Sequence, residues 1–275
     1  MTGGELKEQA RNTKWDLIAL TRNDLDITDS DAVYAAVSAA KPDVVINAAA
    51  YTAVDDAERN PETAAKVNRD GAAYLATAAA SAGAAVIHIS TDYVFDGRAS
   101  RPYLPGDETH PLSVYGETKL AGERRVRECN TNHIIVRTSW VYHHSGSNFL
   151  RAMIRRRGEQ RELKVVNDQS GGPTSAADLA SALLEAANAA ARGARTWGTF
   201  HFSNAGVTTW YGFAKAIFEE KGGEIPAITP IATSDFPTAA TRPRYSVLDT
   251  NSFSDAFGVR PRHWRDALRS AVEHV

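Results

Sequence analysis

Three apolar runs constrain the fold of this chain more than any other feature of its sequence. Residues 44–50, 84–89 and 133–142 are rich in Val, Ile and Ala, and each has the length of a strand that is buried on both faces. Segments with the composition of helices lie between them, at about 61–82 and 115–128. Because a repeated strand–helix–strand order requires right-handed crossovers between parallel strands, the sequence predicts an α/β fold, a Rossmann-type doubly wound parallel sheet.

The second run ends in a polar motif that carries the candidate chemistry. Thr91 follows this strand within Ser-Thr-Asp, and a helix that starts near Tyr115 places Lys119 on the same face, four residues further on. A free tyrosine has a pKa of about 10, and a neighbouring ammonium group favours its phenolate. These three residues are therefore predicted to protonate a carbonyl oxygen, with Thr91 hydrogen-bonding that oxygen. Each motif alone is more typical of a surface pair or a helix cap, and their order is what indicates a site.

Composition narrows the class of partner. The 275 residues carry a formal net charge of -2 with acids and bases interspersed, which argues against a nucleic-acid surface and indicates a small-molecule partner. A single cysteine, Cys129, leaves no intrachain disulfide and no thiolate metal cluster, as is typical of a reducing cytoplasm. Since neither a membrane-length apolar run nor a signal-peptide pattern is present, we expect a cytoplasmic protein that binds no membrane.

The first residues resemble the inside of a phosphate-binding turn. Gly4, Glu5 and Leu6 lie where such a turn approaches the pyrophosphate of a dinucleotide, ahead of a strand predicted at 16–20. A flexible N-terminal tail is the alternative interpretation. Arg22 follows the predicted strand, at a position where arginine favours NADPH over NADH, although a loop arginine is most often only solvated.

Two other places are candidates for ligand contacts. Ala49 and Ala50 end the run at 44–50, and small side chains there let a flat ligand lie against the backbone, unless they only pack under a helix. Near the C-terminus, Arg242 or Arg244 could pair with a phosphate, although exposed rim positions are the commoner case.

The strict alternation of strands and helices loosens in the C-terminal half. A strand is predicted at 198–204, and the segment 225–244 is rich in Pro and Thr. We expect residues 1–145, with parts of 164–204 completing the sheet, to form a dinucleotide-binding core. Residues 146–275 are expected to form mainly a small α/β substrate-binding lobe.

Six motifs resemble the dTDP-4-dehydrorhamnose reductase family of the extended short-chain dehydrogenase/reductases. They are VVINAAAYTAVD at 44–55, STDYVF at 90–95, YGETKLAGE at 115–123, RTSWVY at 137–142, NDQSGGPT at 167–174, and Arg242-Pro243 followed by Ser246. The resemblance runs from residue 16 to the C-terminus. It implies reduction of the 4-keto group of dTDP-4-dehydro-L-rhamnose with NADPH or NADH, giving dTDP-L-rhamnose for bacterial cell-surface polysaccharide.

The resemblance also implies a role for each matching position. Tyr115 is the proton donor, Lys119 its partner and a ribose ligand, and Thr91 the third hydroxyl at the substrate oxygen. The implied cofactor contacts are Asp26 and Ile27 near the adenine, and Ala50, Tyr51 and Thr52 near the middle of the dinucleotide. The implied substrate contacts are Val54, Asp92, Tyr93 and Trp140 around the sugar, and Asn148 and Arg242 on the nucleotide side. Some members bind Mg²⁺ between subunits, so Mg²⁺ and a homodimer are allowed here, with no metal ligand assigned.

The chain departs from the family at its front. The family begins with a strand and a Gly-x-x-Gly-Gln-x-Gly turn, whereas this chain supplies only residues 3–7 of such a turn. We therefore expect the first strand to be missing and the natural start to lie upstream. Two alternative functions stay open, a nucleotide-sugar epimerase or dehydratase and a non-catalytic regulatory homologue with an impaired cofactor turn.

Overall fold

The computed structural model describes residues 1–11, 13–157, 162–223 and 226–275. In chain order its α-helices are α1 Thr2–Ala10, α2 Ser30–Ala40, α3 Val54–Ala57, α4 Pro61–Ala65, α5 Ala72–Ser81, α6 Val114–Cys129, α7 Phe149–Arg156, α8 Ala176–Ala191, α9 Trp210–Lys221, α10 Asn251–Phe257 and α11 Trp264–Glu273. The strands are β1 Val44–Asn47, β2 Ala85–Thr91, β3 His133–Thr138, β4 Val141–Tyr142, β5 Leu163–Val166, β6 Ser170–Gly171, β7 Thr174–Ser175, β8 Gly198–His201, β9 Thr208–Thr209 and β10 Ile228–Ile231. A π-helical segment covers Lys66–Gly71, and 3₁₀ turns cover Asp92–Val94 and Thr233–Asp235. The start of the Pro- and Thr-rich segment predicted at 225–244 lies outside the described residues.

Four parallel strands form the main sheet, in the order β1-β2-β3-β8. The register pairs Val45 with Val86, and Ile87 with Ile134. Since successive strands run in the same direction, their carboxyl ends lie at one edge, where Asn47 and Thr91 end β1 and β2. The predicted α/β fold with a parallel sheet is confirmed.

Helices cover both faces of this sheet, because side chains of a strand alternate between them. On one face Ile87, Ile134 and Val136 join a core with Leu6 of α1 and Leu179 of α8. On the other face the core cluster consists of buried alanines of α5 together with Val86, Val126 and Ile135. Each large aliphatic side chain buried in this way contributes about 1.5–3 kcal/mol. The apolar runs from which strands were predicted therefore supply core side chains on both faces of the sheet.

Glycines bring α6 close to the chain segments beside it. A Cβ on Gly122 would lie 2.1 Å from the carbonyl oxygen of Asn68, and one on Gly116 would lie 2.3 Å from that of Tyr93. Real Cβ atoms do not approach a backbone oxygen so closely, so both positions require glycine as the helix is packed. The close contact sets α6 directly against the carboxyl end of β2.

A second cluster lies in the C-terminal part of the chain. Helices α7, α9 and α11 pack around Leu150, Phe213, Phe218 and Trp264. The short parallel pair of β5 and β10 lies alongside α9. Among the helices of the described ranges, none combines the length and apolar character that crossing a bilayer requires.

The N-terminal predictions are partly wrong. Residues 16–20 form no strand, and Ile18 is 58% exposed, because no strand among the described residues lies beside them to accept or donate hydrogen bonds. Gly4, Glu5 and Leu6, predicted in a phosphate-binding turn, lie instead within the helix α1. The amide of Gly4 donates a hydrogen bond to the carbonyl oxygen of Met1.

Two predicted elements are interrupted. The helix predicted at 61–82 consists of α4, a π-helical segment and α5. The strand predicted at 133–142 breaks after β3, because Trp140 has a φ of 47° that an extended strand does not allow. The chain therefore leaves the main sheet at Ser139, and β4 pairs with β7 instead.

Candidate active site

Thr91 and Tyr115 meet at the carboxyl edge of the main sheet. Thr91 is the last residue of β2, and Tyr115 lies in the first turn of α6. The helix starts there because the Ser113 side chain accepts a hydrogen bond from the amide of Gly116 at 3.2 Å, which caps α6. The Thr91 hydroxyl lies close enough to the Tyr115 phenol to affect its pKa. Two of the three predicted catalytic side chains thus lie side by side.

Lys119 occupies the next turn of α6 and points into the fold. Its Nζ donates a hydrogen bond to the carbonyl oxygen of Ile89 at 2.6 Å and lies 3.4 Å from Nε2 of His88. Burial lowers the pKa of Lys119 to about 8, against a smaller opposing effect of the Glu123 carboxylate. The lysine is therefore anchored on β2 rather than on the phenol.

The expected acidification of Tyr115 by Lys119 is wrong for this structure. Burial raises the pKa of Tyr115 to about 12, and the nearby Thr91 hydroxyl opposes the rise only in part. The reason is geometric, since the four-residue spacing places both side chains on one face of α6 but the ammonium turns towards the backbone of β2. The phenol consequently stays protonated at neutral pH.

Asp92 and Tyr93 complete the wall beside the phenol. Asp92 Oδ1 accepts a hydrogen bond from the Thr91 hydroxyl at 3.0 Å, whereas Oδ2 is buried without a hydrogen-bond partner among the described residues. Burial raises the pKa of Asp92 to about 6, and the hydroxyls of Ser246 and Thr91 oppose the shift. The Tyr93 ring meets the Tyr115 ring edge-on, with centroids 5.5 Å apart. An unsatisfied buried oxygen is available here to a polar ligand.

We predict that Asp92→Asn stabilises the protein at pH 7.5 while weakening substrate binding. Burial raises the pKa of Asp92 from 3.8 to about 6. The ionised carboxylate therefore destabilises the folded protein, by an amount that is absent below pH 3.8, grows between pH 3.8 and 6, and is complete above pH 6. Removing the charge should therefore add roughly 1–3 kcal/mol at pH 7.5 and little at pH 4. Thermal unfolding at both pH values measures this. Exposed Asp255→Asn is the control, and equal effects of the two variants would contradict the prediction.

Arg242 joins the C-terminal part of the chain to the loop after β1. Its guanidinium forms a two-point ion pair with Asp55, at 2.7 and 3.1 Å, and Asp55 also accepts the amide of Ala240 at 3.0 Å. The Arg242 guanidinium and the Tyr93 phenol lie close enough that each affects the pKa of the other. Val54 starts α3 directly before Asp55. The predicted residues Val54, Tyr93 and Arg242 therefore lie together, around a carboxylate that the sequence analysis did not single out.

Trp140 is held by contacts that the sequence did not reveal. Its ring stacks on Trp210 with centroids 3.7 Å apart and planes 7° from parallel. Gly171 lies beneath it, where a Cβ would come within 2.6 Å of the ring. Asn148, by contrast, caps α7, and its amide group is engaged by His143, Ser145 and the amide of Arg151. A substrate contact of Asn148 stays a prediction without support from a free hydrogen-bonding group.

The loop after β1 offers an open backbone at the sheet edge. Ala49 and Thr52 are exposed and Ala50 is half-buried, so no side chain larger than a methyl group covers the strand end at 48–50. Asn68 fixes this loop, because its Oδ1 accepts the amide of Tyr51 at 2.8 Å. The Tyr51 phenol hydrogen-bonds Asp56. Asn68 is a second supporting residue that sequence reasoning missed, since nothing in a helical segment marks it.

The other predicted cofactor residues are scattered around this edge. Leu6 packs into the core, and Glu5 pairs with His143 at 2.6 Å. Arg22 is exposed, Asp26 accepts hydrogen bonds from Thr28 at 2.9 Å, and Ile27 packs against the backbone of Gly71. Gly3 of the N-terminal helix lies near the sheet edge, with its Cβ position 3.8 Å from Ala48. Cofactor contacts of Gly4, Glu5, Leu6, Arg22, Asp26 and Ile27 stay predictions.

One metal-like cluster lies within the described ranges. The carboxylate of Glu5 and the imidazoles of His143 and His144 have potential ligand atoms within 4.8 Å of one another. Mg²⁺ prefers six oxygen ligands, including water, whereas two of these three side chains offer nitrogen. The cluster therefore does not fit Mg²⁺.

The parallel sheet with Thr91 and Tyr115 side by side at its carboxyl edge, and a lysine one turn along the same helix, defines a protein of the extended short-chain dehydrogenase/reductase class. The model of the family described as RmlD substrate binding domain matches residues 1–275, and the chain belongs to this family. The resemblance inferred from the six motifs is confirmed.

Individual relatives are similar over nearly the whole chain. The dTDP-4-dehydrorhamnose reductase of Aggregatibacter actinomycetemcomitans is 42% identical over 265 residues, covering 94% of this chain and 90% of that protein. A crystal structure of a dTDP-4-dehydrorhamnose reductase from Clostridium acetobutylicum matches with a TM-score of 0.94 and 42% identity, covering 99% of this chain and 95% of that one. A structure of the enzyme of that name from Bacillus anthracis, in complex with NADP, matches with a TM-score of 0.94 and 35% identity, covering 100% and 95%.

Proposed function

We propose that this protein reduces the C4 keto group of dTDP-4-dehydro-L-rhamnose to dTDP-L-rhamnose, with NADPH as the hydride donor. The observation that carries the proposal is the pairing of Thr91 and Tyr115, side by side at the carboxyl edge of the sheet, beside an open backbone edge at 48–50. Relatives with the name dTDP-4-dehydrorhamnose reductase, more than 40% identical over most of their length, support this substrate. The dTDP-rhamnose product would serve surface polysaccharide synthesis.

The chain supplies a proton donor and an oxygen-binding hydroxyl. NADPH, when bound, provides hydride to the carbonyl carbon. As negative charge develops on the carbonyl oxygen, Tyr115 gives it the phenol proton, which is present at neutral pH with or without the rise in pKa that burial causes. Thr91, whose hydroxyl hydrogen is donated to Asp92 Oδ1 in this structure, would turn that hydrogen to the same substrate oxygen and stabilise the charge there.

The residues around this pair would orient the sugar and the nucleotide. Asp92 has a buried oxygen that can accept a sugar hydroxyl, and the Tyr93 ring lies beside the Tyr115 ring. Trp140 is proposed to offer a ring surface to the sugar. Arg242 reaches the same side, where its guanidinium is already held by Asp55 and can form charge-assisted hydrogen bonds to a phosphate. Val54 and Asn148 are proposed to line the remainder of the substrate site.

The residues of the sheet edge fit a dinucleotide. Backbone at Ala49, Ala50, Tyr51 and Thr52 is open to a flat ligand, and Lys119 retains N–H capacity for a ribose hydroxyl beside its bond to Ile89. Arg22 supports a preference for NADPH over NADH, and the Bacillus anthracis relative was crystallised with NADP. A cytoplasmic location and a homodimer stay predictions.

A coupled assay with dTDP-4-dehydrorhamnose tests the proposal. We expect one NADPH to be oxidised for each sugar reduced, followed as loss of absorbance of the reduced nicotinamide, with NADPH preferred over NADH. Turnover of a nucleotide sugar without net NADPH oxidation would indicate an epimerase or dehydratase instead. Absence of cofactor binding by titration would favour a regulatory protein. Thr91→Val, expected to lower turnover, distinguishes enzyme activity from a contaminant.

A further inference from the structure

Three buried polar side chains form a row beneath the catalytic edge, from β1 through β2 to α6. Asn47, His88 and Lys119 are each at most 3% exposed. Nδ2 of Asn47 lies 3.1 Å from Nδ1 of His88, and Nε2 of His88 lies 3.4 Å from Nζ of Lys119. Neither Asn47 nor His88 has a part in the reduction as derived above, so their burial needs a separate explanation.

The hydrogen bonds of the row determine which histidine nitrogen carries the proton. The backbone amide of Ala49 can only donate, and it lies 3.1 Å from Oδ1 of Asn47, which orients the carboxamide. Nδ2 of Asn47 must then donate to Nδ1 of His88, and a neutral imidazole with an accepting Nδ1 is protonated on Nε2. The Nε2–H of His88 therefore faces Nζ of Lys119.

This arrangement suits an amine better than an ammonium group. A neutral Nζ donates to the Ile89 carbonyl and accepts from His88 with its lone pair, so both contacts are satisfied. An ammonium group has no lone pair and would face the Nε2–H with another N–H.

We propose that Asn47 and His88 are positioning residues that determine the charge of Lys119, by presenting an N–H donor to its Nζ. The inference rests on the role proposed above for Lys119 as a ligand of the cofactor ribose. Its consequence is that Lys119 loses its proton within the pH range of catalysis, so that cofactor binding weakens as pH rises. Two pKa shifts agree with this consequence. Burial lowers the pKa of Lys119 to about 8, and burial together with Lys119 holds the pKa of His88 well below its ordinary value.

Other charged groups near Lys119 lie on α6 itself and on β3. Glu123, one turn further along α6, raises the pKa of Lys119, but its carboxylate is shared by Arg137 of β3 and Arg127 of α6. Arg127 also lowers the pKa of His88. At the other end, Asp92 acts on Tyr115 rather than on the lysine. Among these groups, His88 is the titratable side chain whose ring contacts Nζ, beside the carbonyl of Ile89.

The first test observes the histidine directly and needs no activity. Long-range proton–nitrogen NMR correlations of isotope-labelled histidine distinguish the two neutral tautomers, and the His88 signal is identified by its loss in His88→Gln. We expect a neutral ring protonated on Nε2 between pH 6 and 9 in the unmodified protein. A ring protonated on Nδ1 would overturn the proposal whether or not the chain proves to be a reductase.

The second test exchanges one atom. In Asn47→Asp, Oδ1 still accepts the Ala49 amide, while the second oxygen accepts from Nδ1 and moves the histidine proton there. Nε2 then accepts from the Lys119 ammonium group. We expect the pH at which NADPH affinity and kcat/KM fall by half to rise by about one unit, and to rise also in His88→Gln, which offers a carbonyl oxygen to Nζ.

His201→Gln is the matched control. His201 is a buried histidine of β8 in the same sheet, bonded through Nδ1 to the Tyr103 carbonyl at 3.0 Å. His201→Gln should leave the pH at which NADPH affinity and kcat/KM fall by half as it is in the unmodified protein. If that pH is unchanged in both Asn47→Asp and His88→Gln, or if it shifts equally in His201→Gln, the proposed role of Asn47 and His88 is refuted. NADPH affinity reports on Lys119 even if the sugar proves to be a different one.

Discussion

Tyr115→Phe is expected to lower kcat by about 10²–10⁴-fold, with KM for the sugar changing far less. The variant keeps the ring that packs edge-on against Tyr93 and removes only the hydroxyl that meets Thr91. Because proton donation is needed only as the carbonyl oxygen becomes negative, its loss raises the barrier rather than weakening binding. Steady-state rates of NADPH oxidation measure the effect.

Tyr142→Phe provides the comparison for this variant. Tyr142 is also buried, and its hydroxyl has no hydrogen-bond partner among the described residues. Its removal should leave kcat within a factor of about two, since it belongs to the cluster around Phe213 and Leu150 rather than to the edge of the main sheet. A Tyr115→Phe enzyme as active as Tyr142→Phe would exclude the phenol as the proton donor. Deprotonation of Tyr115 should cause no decline in kcat below pH 10 in the unmodified protein, because burial raises the pKa of Tyr115 to about 12.

Glu123→Ala is expected to destabilise the protein by roughly 3–5 kcal/mol. Glu123 is fully buried, and its carboxylate accepts hydrogen bonds from Ser90 at 2.6 Å, from two nitrogens of Arg137 at 2.8 Å and from Arg127 at 2.8 Å. Burial raises the pKa of Glu123, but the hydrogen bonds and charge of Arg137 outweigh it, so the pKa lies below its ordinary value. Truncation leaves the Arg137 guanidinium buried without its counter-charge, which is the costly part of breaking such a pair.

Urea denaturation followed by circular dichroism measures the difference, with Glu128→Ala as the control on the same helix. Glu128 pairs with Arg125 at 2.5 Å, but both side chains are about half exposed, and such surface pairs contribute about 0–1 kcal/mol. Similar losses in both variants would mean that the buried network is not what holds α6 against β2 and β3. Glu123→Ala should also reduce activity, because α6 carries both Tyr115 and Lys119.

Much of the scaffold was predictable because its causes are local. The apolar run that became β2 and the four-residue spacing of Tyr115 and Lys119 are visible in the sequence, and each depends on hydrogen bonds or side-chain periodicity within one element. The family assignment followed from short motifs whose order is specific. The strand predicted at 16–20 failed because a strand needs a neighbour, and residue composition does not say whether one is present.

The sequence by itself determined the α/β class of this protein, the approximate positions of the strands of its main sheet and the identity of the residues at the reactive edge. Only the tertiary structure decided how those residues act on one another. Lys119 bonds to Ile89 and His88, the phenol keeps its proton, Asp55 holds Arg242, and Trp210 stacks on Trp140. The physical reason is that burial and hydrogen-bond direction determine pKa and orientation, and both arise only when elements distant in the chain are brought into contact.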